Sequence, residues 1–504
     1  MTDFTELVDL AAERLGGAIL TANDEFFAEK ENLLKAAKPV FIDGKYTDRG
    51  KWMDGWETRR RRTEGHDWCI VRLGLPGRVR GVVVDTAFFR GNFPDHCSIE
   101  AASLSGQPSI DDLLASTTNW TEILAKSKLE GDSENRFEID RDIRATHLRL
   151  HIYPDGGVAR LRVHGDVLPD PRWMGRGGAS VDLAAAEHGG LVLACNDMFF
   201  GSRHNLVMPG RSLNMGDGWE TKRSRRPGPD WVVVRLAAEG SLDRVEIDTN
   251  HFKGNFPESC ALHGVRGDAP PGGGDDRWEE ILPRTKLQAH TRHFFDKELV
   301  SRGLFTAVRM RIYPDGGVSR LRLHGAVSRE GREAQVLRHL NVASRSEVEA
   351  ALRSCCGSTA WQKKMAASRP FTGLAALQKL AADVWRSLSK EDWLEAFRAH
   401  PRIGEQPAQR QSALEHDGQM WAAGEQARVS DASQGTRDAL AEANRAYEAK
   451  FGHIYIVCAT GRSAEEMLAI ANERLVGDAA SELARGAEEQ RKITDLRLEK
   501  WIRQ

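Results

Sequence analysis

The run Asp54-Gly55-Trp56-Glu57-Thr58-Arg59 sets two carboxylates and a cation three to five positions apart beside a glycine. Carboxylates so placed can activate water or hold a urea-like group, and a guanidinium can pair a carboxylate through two parallel hydrogen bonds. The run recurs as Asp217-Gly218-Trp219-Glu220-Thr221-Lys222. A turn with a buried tryptophan and a structural ion pair explains the pattern equally well. Two copies fit that account, because a fold-maintaining residue is needed in both and a single active site is not. Asp54, Glu57, Asp217 and Glu220 are the catalytic candidates, and Arg59 is a substrate-binding one.

The histidines separate on the same test. His164 and His324 match, each before a glycine at a strand end, and read as structural. The unmatched ones are better candidates: His251 aligned with Ala87, His96 with Ser259 and His151 with Arg311. Of these, His251 joins the catalytic set. His147 and His151 are four apart, but in a strand that spacing does not bring two imidazoles onto one metal, and no metal ligands are assigned. The basic runs Arg59 to Arg62 and Lys222 to Arg226 are solvated faces or collectors of an anionic substrate. A net charge of −2 argues against nucleic acid as a partner.

The last third offers different chemistry. His400-Pro401 stands where proline ends a helix. Ala422-Ala423-Gly424-Glu425-Gln426 sets a carboxylate beside an amide. Phe451-Gly452-His453-Ile454-Tyr455-Ile456 leaves a helix at glycine and runs on extended, with backbone amides free to hold an oxyanion or carboxylate. His400 near Glu425 makes a proton-transfer pair. Alone, His400 is equally a cation favoured at a helix C-terminus.

The elements that position these groups come in two kinds. Trp56 to Trp219 and Pro94 to Pro257 both span 163 positions, and each copy closes on a shared phrase, Tyr153-Pro154-Asp155-Gly156-Gly157-Val158 or Tyr313-Pro314-Asp315-Gly316-Gly317-Val318. Two-thirds of the chain is therefore one domain written twice. Short β-branched and aromatic runs, Trp68–Leu73 and Val79–Phe89, read as strands. Thr146 to Tyr153 alternates, with Leu148, Leu150 and Ile152 on one face. Each repeat is expected to be an antiparallel β-sandwich, a jelly roll of the galactose-binding kind. Beyond Val327 the period becomes helical: Leu374, Leu377, Leu380, Val384 and Leu388 form one face, and Ser463-Ala464-Glu465-Glu466 is a capping box. The expected order is a lead-in over 1–20, repeats over 21–168 and 190–328 joined by a linker over 169–189, a second linker near 328–334, and an all-α domain over 335–504.

The bulk numbers agree. A chain of 504 residues holds about three domains. No apolar run approaches about 18 residues, so no membrane span is expected, and the acidic N-terminus lacks the order of a secretory signal. Seven cysteines, an odd number without a CxxC pair, read as reduced thiols in a cytoplasmic setting.

With these motifs in hand, residues 15 to 328 resemble allantoicase through the DGWETxR, GNFP and YPDGGxxRxRxxG phrases, in order and in both copies. The resemblance implies tandem jelly rolls that hydrolyse allantoate to ureidoglycolate and urea, with a divalent metal left open. Residues 335 to 504 resemble OHCU decarboxylase (2-oxo-4-hydroxy-4-carboxy-5-ureidoimidazoline decarboxylase) through AHPRIGE, GEQ, KFGHxYI and the closing Glu489 to Leu498 run. That resemblance implies a cofactor-free helical enzyme forming (S)-allantoin. It makes His400 the catalytic histidine with Glu425, and places Pro401, Gln426 and the 451–456 backbone on the substrate. Arg497 matches the family's late arginine, and Ala422 stands where the family often has serine. The partners expected are small ureides and further copies of the chain. The rival readings are carbohydrate-binding modules in front and a scaffold domain behind.

Overall fold

The computed structural model describes residues 3–104, 106–171, 178–224, 228–267, 277–400, 402 and 432–503. Pro401, Ala422, Glu425 and Gln426 lie outside the described residues, as do Arg225 and Arg226. The chain forms two compact units, Met1–Val342 and Ala343–Gln504.

In the first unit each repeat is built on one long strand. Asp67–Asp85 is 19 residues long and serves two sets of neighbours. Its first half pairs with Ala18–Ala22 and Arg144–Tyr153, its second half with Arg160–Val167 and Glu134–Glu138, all antiparallel. Strand Arg144–Tyr153 pairs on its other edge with His96–Ala102. The second repeat copies this around Asp230–Asp248. The runs Trp68–Leu73 and Val79–Phe89, expected as separate strands, are thus one strand: the Leu75-Pro76-Gly77 stretch between them stays in the sheet, and the strand ends at Asp85. The alternation over Thr146–Tyr153 holds, since Leu148, Leu150 and Ile152 are fully buried, as are Val308, Met310 and Ile312. Each such side chain taken from water contributes about 1.5–3 kcal/mol.

Three boundaries differ from expectation. Residues 1–20 are not a lead-in: Val8 and Asp9 pair with Gly165 and His164, and Leu10 and Ala11 are fully buried in the first repeat. The helical spacing of Leu7, Leu10, Ala11 and Leu15 arises from short 3₁₀ turns on either side of that strand. Part of the 169–189 linker belongs to the second repeat in the same way, because Ser180–Asp182 pairs with the strand Arg320–Val327. Ser328 to Gly331 is no linker either. It opens the helix Arg329–Val342, where Ser328 caps the Gly331 amide and Gln335 donates to the Ala237 carbonyl of the second repeat.

The second unit is helical throughout its regular elements. Its helices include Leu374–Arg386, Lys390–Arg398, Gln434–Phe451, Ala464–Arg474 and Ala479–Arg503. On the first, Leu374 and Leu377 are buried as expected, but the face continues through Ala381 and Trp385, and Leu380 and Val384 lie half-buried beside it. Ser389 and Ser463 make reciprocal capping boxes with Asp392 and Glu466. Gly452 ends its helix at φ 74°, a left-handed conformation that glycine adopts without steric cost.

Candidate active sites

The repeated Asp-Gly-Trp-Glu block is positioned from both ends. Trp56 and Trp219 are fully buried, and each indole donates at 2.8 Å to the carbonyl of Asp24 or Asp197. Glu57 and Glu220 then pair, strand to strand, with Gly157 and Gly317. Those glycines have no substitute: a Cβ there would lie 2.0 Å from the Phe89 ring and 1.9 Å from the Phe252 ring.

Asp54 and Asp217 sit in buried ion pairs. Arg160 donates to the Asp54 carboxylate at 2.7 Å and to its backbone carbonyl at 3.0 Å. Arg320 repeats this on Asp217 at 2.9 and 2.6 Å. Burial pushes the Asp54 carboxyl up, but hydrogen bonds from Arg160 and the Val40 amide, with the charges of Arg160 and Lys35, outweigh it and hold the group below its ordinary value. The Asp217 carboxyl is likewise held down against burial by Arg320, the Leu213 amide and Arg14, which reaches it from the first repeat.

Glu57 is placed differently. Burial raises its carboxyl, and only a hydrogen bond from the Asn92 side chain, at 2.7 Å, works against that. Asn255 donates to Glu220 in the same manner. Arg59 holds Asp24 through its backbone amide and Nε at 2.9 and 2.7 Å, and Lys222 lies 3.4 Å from Asp197. Among the described residues, the side chains of Asp54, Glu57 and Arg59 make no hydrogen bond or ion pair with one another.

His251 has φ 69° and Phe88 φ 67°, so the two are structural counterparts, and Ala87 corresponds to Asn250 rather than to His251. The alignment of His251 with Ala87 was one position out, as counting back from the shared GNFP phrase shows. His251 is tied to Ser212, its Nε2 lying 3.0 Å from that carbonyl, and its amide donates to His290 at 2.8 Å. Leu213 binds Asp217, and Met215 lies 3.3 Å from the Asn255 amide. One short loop thereby gathers His251, Asp217 and Glu220. In the first repeat the matching connection, from Val40 to Asp54, spans 14 positions instead of 4, and its Phe41 stacks on Phe88 at 5.8 Å.

The other unmatched histidines find partners on the first repeat. His96 pairs with Asp95 at 2.7 Å, and His151 bridges Glu100 and His66, both at 2.8 Å. The described residues hold no group of three or more His, Cys, Asp or Glu side chains placed to bind a metal ion.

In the helical unit His400 ends the turn after Lys390–Arg398. Its Nε2 is buried and has no hydrogen-bond partner among the described residues. Burial and then the charge of Arg497, itself fully buried, push the imidazole down to about 3, against a weaker pull from Gln490. The group is therefore neutral near pH 7. The 452–456 segment is fixed from behind by a buried network: Arg474 donates to Glu482 at 2.6 Å, to the Ile456 carbonyl at 2.8 Å and to the Tyr447 hydroxyl at 3.1 Å, and Tyr447 donates to Glu482. His453 packs its ring against Phe397, Tyr447 and Phe451. Among the described residues no hydrogen bond engages the backbone amides of His453 to Ile456.

The model of the allantoicase repeat matches residues 8–168 and 181–328. The chain belongs to the allantoicase family. The allantoicase of Dictyostelium discoideum is 49% identical over 325 residues, covering 64% of this chain and 87% of its own. A probable allantoicase of Pseudomonas aeruginosa is 48% identical over 331 residues, covering 64% and 96%. The crystal structure of allantoicase from Saccharomyces cerevisiae aligns with a TM-score of 0.55 and 35% identity, over 63% of this chain and 92% of that one. Residues 341–499 match the OHCU decarboxylase model. An OHCU decarboxylase domain thus follows the allantoicase repeats, and the chain is a bifunctional enzyme of ureide catabolism.

Sequence reasoning missed several residues of the allantoicase half. Arg160 and Arg320 stand in the Tyr-Pro-Asp-Gly-Gly phrase, and their recurrence at a 160-residue spacing was the available signal. Asn92 and Asn255 belong to GNFP, a phrase used only to mark the repeat. Arg14 carried no sequence signal, because it acts across repeats. In the helical unit Gln490, which acts on His400, lies inside the closing Glu489 to Leu498 run, and its spacing alone marks no role.

Proposed function

We propose that the allantoicase half hydrolyses allantoate to ureidoglycolate and urea, with Glu57 handling the proton. Water adds at the carbon that carries the two ureido groups and the carboxylate, one C–N bond breaks, and the nitrogen leaves as urea after taking a proton. A carboxyl raised by burial and steered by Asn92 suits that donation, and this is the observation that carries the reading. Glu220 with Asn255 offers the same pair in the second repeat. Arg59 offers a guanidinium to the substrate carboxylate. Asp54 and Asp217 serve as anchors of the loops, and His251 sets the conformation of the second. Glu57→Gln, assayed for urea release from allantoate, tests the assignment.

The helical domain in this proposal decarboxylates OHCU to (S)-allantoin without a cofactor. The C–CO₂ bond breaks, its electron pair moves into the ring imine, and one proton quenches the carbon on one face. Neutral His400 presents for that proton traffic a nitrogen unengaged among the described residues, Arg497 meets the anionic charge, and the 453–456 amides receive the ureide oxygens. The two steps are not consecutive, since allantoin is opened to allantoate by a separate hydrolysis. Measuring urea release with and without a chelator reads out any divalent ion in the allantoicase half. Seven free cysteines support a reducing, cytoplasmic setting. Exposed Phe199, Phe200 and Leu213 at 70%, 62% and 85% support assembly with further copies of the chain.

A further inference from the structure

A cavity of about 500 Å³ shares no lining residue with either candidate site. Its walls come from three places: Asp166 to Leu168 at the end of the first repeat, Arg235 to Glu239 on the long strand of the second, and the helix Arg329–Val342. That volume falls in the range of small-molecule sites.

Its charged lining is three arginines, Arg78, Arg235 and Arg338, and three carboxylates, Asp166, Glu239 and Glu330, but they are not matched pair by pair. Asp166 is shared by Arg78 and Arg80, and Glu239 is held by Arg266 and Ser328. Arg235 and Arg338 also line the cavity, and neither makes an ion pair or a side-chain hydrogen bond among the described residues. They act on each other instead: partial burial, then the Arg338 charge, lowers the Arg235 guanidinium against the pull of Asp166. Two guanidiniums left facing one space form a receptor for an anionic oxygen pair.

A third group narrows the ligand. Gln335, 9% exposed, lines the same cavity. Its Nε2 donates to the Ala237 carbonyl at 3.2 Å, and a carbonyl can only accept, so the amide orientation is settled by chemistry. Its Oε1 is buried and has no hydrogen-bond partner among the described residues. A buried acceptor left unmade costs about 1–3 kcal/mol, which an N–H donor on a ligand would recover.

We propose that this cavity binds a small carboxylate bearing N–H donors, the ureido-acid class, at a site separate from both catalytic centres. The carboxylate lies between Arg235 and Arg338, and an N–H donates to Gln335 Oε1. The site draws on both repeats and on the helix that follows them, so occupancy ties these three elements together.

The test uses N-carbamoylglycine, which carries a carboxylate and a ureido group but lacks the second ureido group that hydrolysis removes. Calorimetric titration of the full chain is compared with Arg235→Gln/Arg338→Gln and with Gln335→Met. The expected result is binding to the native chain, weakened about tenfold or more by either change, with urea release and the melting temperature without ligand unchanged. Acetate and urea, which each carry half of the recognition, bind far more weakly. Binding that is absent in the native chain, unchanged in the variants, or lost together with urea release overturns the proposal.

Discussion

Asn92 donates its side-chain amide to the Glu57 carboxylate at 2.7 Å, and its own backbone carbonyl accepts from the Gly157 amide at 2.7 Å. One residue of GNFP thereby fixes both the acidic group and the strand facing it. The relationship recurs between Asn255, Glu220 and Gly317. It explains why GNFP, DGWE and YPDGG travel together: each supplies one corner of the same contact.

Two outcomes follow for Glu57. Glu57→Gln keeps the shape and removes the proton, so kcat for urea release should fall by about 10²–10⁴ while allantoin formation is unaffected. Asn92→Ala removes the one contact that lowers the Glu57 pKa, so that pKa rises. As the acid must be protonated, the alkaline limb of the urea-release profile should move to higher pH. A pH–rate series on the variant checks the direction.

The ion pair Asp54–Arg160 is predicted to hold structure rather than carry the reaction. Asp54→Asn leaves a buried guanidinium without its counter-charge and should cost about 3–5 kcal/mol, read by denaturant unfolding. The folded carboxyl lies below its ordinary value, so this stabilisation is present above about pH 4 and lost as pH falls through the folded value. The acid limb of the native stability curve should flatten in the variant.

His400 adds a loss of the same sign at higher pH. Its folded value, about 3, lies below the ordinary 6.5. The unfolded chain therefore binds a proton that the folded chain refuses between those values, and stability should decline as pH drops from 6.5 toward 3. Allantoin formation should show no histidine limb near pH 6.5. Arg497→Met removes the opposing charge and should raise the His400 value, observable by NMR of the imidazole.

Much of this was legible in the sequence, and the reasons are physical. Period-two and period-3.6 patterns gave the sandwiches and the helices because burial imposes them residue by residue. Leu148, Leu150 and Ile152 show this in the repeats, and Leu374, Leu377 and Leu388 in the helical unit. The helix Arg329–Val342 was hidden because Arg329, Glu330 and Gly331 look like solvated loop, while Leu337 and Leu340 lie further on. The partners of Asp54 and Asp217 were hidden because they are 106 and 103 positions away. Arg14 is the extreme case, 203 positions from the carboxylate it serves.

The buried network behind the 452–456 segment predicts a separable effect. Tyr447→Phe removes the hydroxyl that Arg474 and Glu482 share, without emptying the core. Loosening a segment that binds substrate through its backbone should raise KM for OHCU severalfold and leave kcat within about threefold. Steady-state kinetics on freshly oxidised urate distinguishes the two.

The most direct measurement of the central claim is a pair of assays on each of three proteins: the native chain, Glu57→Gln and His400→Asn. Urea release from allantoate and (S)-allantoin formation are followed in the same preparation. The account predicts both activities in the native chain, loss of urea release alone in Glu57→Gln, and loss of allantoin formation alone in His400→Asn. Loss of both activities from either single change, or the absence of one activity from the native chain, would contradict it.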